Sequence, residues 1–218
     1  MMVKLTRSMA GFGAALLCTA AFLAAPARAA DPVTLPGRGV GRIFLGMQRD
    51  DVIRSLGNPY ATFYPRVGKS SGLPRSAQGA YVEDEWMSAN GRYELQVVYR
   101  RGRVAQIRTD NPQFAAADNL SVQSPMADAR RHFPGMTAHA YLIGEDDAVT
   151  YYADSVKDGI AFEFATQDDI ALADDIAVTK PLALIVHEAG SPVLPIYEAS
   201  AGGRDDSGAA RVRAYFAR

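Results

Sequence analysis

Cysteine is almost missing from this 218-residue chain: the one present is Cys18. Past that position the chain can form no disulfide, offer no thiolate nucleophile and build no cysteine-ligated metal site. Charge of one sign is also missing. The formal net charge is −1. That excludes whole-chain attraction to nucleic acid, because such domains carry a clear basic excess. There are no low-complexity tracts and no long runs of like charge. With 48% apolar and 22% charged residues, the composition is that of a globular protein and not of a disordered or fibrous one. Tryptophan is used once, at Trp86, so most large aromatic burial falls to nine Phe and ten Tyr.

Long hydrophobic runs are also scarce, and the main one stands at the start. Lys4 and Arg7 precede a charge-free stretch over 9–25, and Pro26 and Ala27-Arg28-Ala29 follow it. That order of parts predicts a secretory leader over 1–29, with Ala30 opening the exported chain. The run is shorter than the roughly 20 residues a spanning helix needs. Cys18 follows Leu17, where a lipoprotein signal places a small residue, so lipid attachment is not expected. An exported domain without disulfides points to a periplasm. No later stretch is apolar enough to cross a membrane.

Two segments of the remaining chain overlay under one shift of 77 positions. Ile43 meets Leu120, Leu45 meets Val122, Val52 meets Ala129 and Leu56 meets Phe133. Each segment predicts an apolar lead-in and a short helix. Val52, Ile53 and Leu56 share one helical face in the first. Gly57 supplies a left-handed stop, and Pro59 forbids resumption. In the second, Ser124 is placed to cap and Pro125 to take the first helical position. Met126, Ala129 and Phe133 make the buried stripe, and Pro134-Gly135 ends it.

β-type sequence follows each helix. Residues 81–88, 93–100 and 103–109 read as strands joined by Asn90-Gly91 and Arg101-Gly102 turns. Residues 138–143, 149–153, 160–165 and 176–186 read as a second set, with turns at Asp146-Asp147 and Asp158-Gly159. The predicted organisation is a leader (1–29), a first unit (30–115), a second unit (116–199) and a flexible tail (200–218). The predicted fold class is α+β, with two tandem units that each set a helix on an antiparallel sheet. The halves differ in charge: 30–115 holds twelve basic and eight acidic residues, and 116–218 holds eight basic and sixteen acidic.

The run from Ile43 to Pro59, with Leu45-Gly46-Met47 entering a short helix that ends at Leu56-Gly57, resembles the SmpA/OmlA (BamE-like) family. The tandem arrangement is similar to that of β-lactamase inhibitory protein. The resemblance implies helix-and-antiparallel-sheet units and a role in binding other proteins. It carries over no functional residue, because the lipid anchor of the first group and the disulfides of the second have no counterpart here.

Signals for catalysis are few. His132, His139 and His187 stand in no H-x-x-x-H or H-E-x-x-H spacing, so zinc has no sequence support. There is no G-x-S-x-G nucleophile elbow. Gly68-Lys69-Ser70 echoes a phosphate loop, but Phe63 stands where its first glycine belongs. Carboxylates gather at Glu83-Asp84-Glu85, Glu145-Asp146-Asp147, Asp168-Asp169 and Asp174-Asp175. None forms a calcium-loop pattern, and neighbours on a strand point to opposite faces.

The aromatics offer a surface instead. Tyr60, Phe63, Tyr64, Trp86, Tyr151 and Tyr152, with Arg66 and Lys69 in the irregular 60–79 stretch, are the candidate partner-binding residues. No cofactor or metal is expected. The sequence predicts an exported, non-enzymatic binding or adapter protein. It would contact an envelope protein through a sheet face and the 60–79 loop. A small-molecule or metal sensor, and an enzyme with a His/carboxylate site formed only in space, are the alternatives.

Overall fold

A computed structural model describes residues 33–67, 74–116, 119–143, 148–164, 176–195 and 214–216. The predicted leader, Lys69, the acidic turns at 145–147, 168–169 and 174–175, and most of the predicted tail lie outside the described residues.

The chain opens with three two-residue strands, β1 (Thr34–Leu35), β2 (Gly39–Val40) and β3 (Ile43–Phe44), which form a small sheet. Helix α1 (Arg49–Leu56) follows. Then come β4 (Ala61–Phe63), β5 (Arg66–Val67), a 3-10 turn at Arg75–Ala77, and β6 (Gly79–Ala80), which pairs with β5. Strands β7 (Val82–Met87), β8 (Glu94–Arg100) and β9 (Arg103–Thr109) form a meander. Helix α2 (Met126–His132) leads into β10 (Thr137–Ile143), β11 (Ala148–Ser155) and β12 (Ile160–Phe164). A 3-10 turn at Ile176–Val178 precedes the last strand, β13 (Ala183–His187).

The expected tandem of helix-plus-sheet units is overturned. The fold is β-rich, built on one eight-stranded sheet of order β10-β11-β12-β13-β9-β8-β7-β4. The cause is the ladder between β13 and β9, where Ile185 faces Arg108 and Val186 faces Ile107. It joins the strands of both halves edge to edge. The helices are only eight and seven residues long, and Val52 is the one fully buried residue of α1.

Alternation sorts the side chains. On one face Val97, Tyr99, Ile107, Tyr151, Phe162, Leu184 and Val186 pack with Val52, Met126, Ala129 and Phe133 of the helices. Burial of each such side chain contributes about 1.5–3 kcal/mol. The opposite, helix-free face carries a smaller cluster of Tyr81, Val98, Tyr152, Ala161 and Ile185, covered by Val67, Ala77, Val193 and Leu194. There Gln106 exchanges two hydrogen bonds with the Leu194 backbone, at 2.8 and 3.0 Å. They strap residues 193–194 across the sheet.

Local signals explain the turns. Arg101 and Gly102 have φ of 52° and 74°, the left-handed pair a tight hairpin between β8 and β9 needs. Gly57 ends α1 at φ 86°. The expected Ser124 cap does not form. Its hydroxyl accepts the Ser121 amide at 3.1 Å instead, and Pro125 occupies the cap position without a side-chain bond.

Gly159 turns β11 into β12 and accepts both the Gly37 and the His187 amides. Its φ is +69°, and a methyl there would lie 2.6 Å from Gly37 Cα and 2.9 Å from the Ala189 nitrogen. Gly91 has φ +66° with open space around it. Gly159→Ala should therefore cost about 3 kcal/mol or more. Gly91→Ala should cost only the roughly 1 kcal/mol of a left-handed alanine. Urea denaturation of the two variants checks the difference.

Candidate functional site

The densest set of charged groups lies on the helix-free face where β4, β7, β8 and β9 meet. The register sets it. Phe63 stands opposite Glu83, Ala61 opposite Glu85, and Met87 opposite Glu94. Gln96 lies between Glu85 and Arg108. Asp84, between the two glutamates, points to the helix side.

The polar contacts converge. The Tyr60 hydroxyl sits 2.5 Å from Glu85 Oε2 and 2.8 Å from Glu94 Oε1. Gln96 Nε2 donates to Glu85 Oε1 at 3.1 Å and to Glu94 Oε2 at 3.0 Å. Arg108 forks onto Glu163 at 2.8 and 3.1 Å and lies 3.7 Å from Glu94. Glu83 is 5% exposed and makes no hydrogen bond or ion pair among the described residues. It lines a cavity of about 10 Å³ with Gln96, Gln106, Arg108 and Leu194. That is room for roughly one water.

Burial and like charge shift these acids. Glu83 is pushed up to about 8, first by burial and then by the Glu85 charge, while Arg108 pulls the other way. Glu94 is also raised, chiefly by burial, against the hydrogen bond from Tyr60. The Tyr60 phenol is raised in turn by its bond to Glu85.

The helix side carries a contrasting pair. Asp84 is buried and receives Arg49 in a forked ion pair at 2.7 and 2.8 Å, plus the Thr62 hydroxyl at 2.7 Å. That pins both the start of α1 and strand β4 to β7. On the helix-free face His187 Nε2 lies 3.0 Å from Asp154 Oδ1, and Asp154 Oδ2 accepts the Val193 amide at 2.9 Å. Both side chains are buried. The pair resembles a base and its orienter, but it holds the 193–194 strap, and neither residue lines the Glu83 cavity.

Of the residues singled out in sequence, Tyr60, Phe63 and Tyr64 are exposed by 59, 44 and 76%. Tyr60 and Phe63 join the acid cluster. Tyr64 lies on the other side of the edge, near Arg49. Arg66 is exposed on β5. Trp86, Tyr151 and Tyr152 are buried. Trp86 donates to the Gly57 carbonyl at 3.0 Å and closes the end of α1. Among the described residues no three histidines or acids are grouped to hold a metal, and no helix is long and apolar enough to cross a membrane.

Sequence reading missed Glu94, Gln96, Arg108 and Glu163. The usable signal was Gln96 and Arg108 on the wet side of strands whose other side is apolar.

Neither family models nor curated proteins match this chain. Among solved structures it is similar to the uncharacterized protein yfeY from Escherichia coli. The identity there is 15%, over 71% of this chain and 99% of that one, with a TM-score of 0.41. It is also similar to a cysteine-rich secretory protein from Staphylococcus aureus, with 10% identity over 79% of this chain and 56% of that one and a TM-score of 0.40. At these values the likeness carries no activity or partner to this chain.

The folded protein holds a proton on Glu83 between its ordinary value of 4.5 and about 8. The unfolded chain releases it there, so this group makes stability fall as pH rises across that window. Its share of the slope is at most about 1.4 kcal/mol per pH unit. Glu83→Gln mimics the protonated acid. Melting curves from pH 5 to 9 should show a shallower decline for Glu83→Gln and higher stability than the parent above pH 8. Parallel curves would contradict the assignment.

Proposed function

We propose that this is an exported, non-enzymatic binding protein that docks an envelope protein at the β4 end of its sheet. The observation that carries the reading is the exposure of Tyr60, Phe63 and Tyr64 within five residues of a three-residue edge strand. Large exposed aromatics at one place are the usual anchors of protein interfaces. The leader-like segment at 1–29 supports export. The buried His187–Asp154 pair supports a binding reading over an enzymatic one, because its polar atoms are engaged with each other and with backbone groups and stand away from the open surface.

A photo-crosslinking residue placed at Tyr64 in living cells tests this. It should give one discrete adduct. The same residue at Val178, 69% exposed in the 3-10 turn before β13, should give none. Phe63→Ala with Tyr64→Ala should weaken the captured complex by about 1.5–3 kcal/mol and leave the melting temperature unchanged. Equal labelling from both positions would sink the reading.

A further inference from the structure

Among the described residues the acids beneath the aromatic edge outnumber the cations that reach them. Among the described residues Arg108 is the guanidinium that reaches Glu94, at 3.7 Å, and it commits its fork to Glu163. Asp110 adds a further carboxylate, which accepts the Glu94 amide at 2.6 Å. The Tyr60 hydroxyl has one proton and two carboxylates within reach, at 2.5 and 2.8 Å. One of those contacts is filled only when a carboxyl proton or an incoming cation supplies the positive partner. Glu83 is an independent sign of the same deficit: it is nineteen-twentieths buried, without a donor among the described residues, and lines the small cavity. Apolar side chains rim the acids. Phe63 stands across from Glu83 and Met87 across from Glu94, each 44% exposed.

Resting on the docking reading above, we propose that this end of the helix-free face receives a lysine or arginine side chain from a basic segment of the partner protein. The aliphatic stem packs on Phe63 and Met87, and the cation meets Glu85 and Glu94. A lysine or arginine stem with a charged head matches an apolar rim around acids. The faces of Tyr60 and Phe63 add attraction for a cation. The contact is between charges, so salt weakens it.

The purified protein is titrated by anisotropy with a fluorescein-labelled lysine-serine heptapeptide, its glutamate-serine counterpart, and spermidine as a non-peptide cation. The lysine peptide should bind at least about tenfold more tightly than the glutamate peptide. Glu85→Gln with Glu94→Gln should lose about tenfold in affinity. Phe63→Ala and Met87→Ala, both on exposed positions, should each weaken the lysine peptide and keep the fold. Equal binding of both peptides, or affinity untouched by all four substitutions, overturns the proposal. So does tighter binding of spermidine than of the peptide. A discrete adduct at Tyr64 together with no preference for the lysine peptide leaves the docking reading standing and removes the basic partner. Preference for the lysine peptide without any adduct does the reverse.

Discussion

The ladder between β9 and β13 joins the two halves of the helix-free face. It sets Arg108 across from Ile185 and Gln106 across from His187. Arg108 then reaches Glu163, which β12 holds one strand further on. Gln106 reaches the Leu194 backbone, and His187 reaches Asp154 on β11. Separate these strands and Arg108 loses its forked contact with Glu163. The same pairing makes the apolar face continuous, so Phe162 and Leu184 share one core with Val97 and Tyr99. A single hydrogen-bonded seam thus fixes both the core and the polar face.

Asp84 and its two neighbours show how differently one strand can treat three acids. Asp84 is fully buried and fully served, with a forked guanidinium and a hydroxyl on its oxygens. A carboxylate so provided is stable where it stands. Glu85 is shared between Tyr60 and Gln96. Glu83 is buried with no donor among the described residues, which is costly unless it carries a proton. Position on the pleat decides this. Asp84 looks toward α1, where Arg49 begins the helix, while Glu83 and Glu85 look away toward a surface supplied mainly with more acid.

What was legible in the sequence was local. Strands β7, β8 and β9 and helices α1 and α2 show in alternation, helical spacing and Asn-Gly or Arg-Gly turns, all of which act within a few residues. Strand β4 has three residues, too few for any period to register, and β1, β2 and β3 have two each. The Ser121-to-Ser124 turn competed with the cap that Ser124-Pro125 suggested. The single sheet was beyond local reading because β9 and β13 lie far apart in the chain and neither strand marks its partner. The same holds for the site. Tyr60, Phe63, Glu83 and Glu85 stood out as residues, but Glu94, Arg108 and Glu163 join them only through cross-strand register. Trp86 and Tyr151 looked equally suited to a surface until alternation, read from the observed pairing, turned them inward.

The edge strand itself connects stability with the docking we propose. A short edge strand limits edge-to-edge aggregation, but three residues of ladder alone would leave its position loosely held. Here it is pinned from both faces. Thr62 binds the Asp84–Arg49 pair on the helix side, and the Tyr60 hydroxyl binds Glu85 and Glu94 on the other. Phe63 follows directly from those two anchors, so its ring is presented from a fixed backbone. Fixing a contact residue before its partner arrives removes ordering entropy from the binding step. The polar pins therefore hold the strand in the sheet and keep its exposed aromatics preorganised, and one set of acids serves both ends.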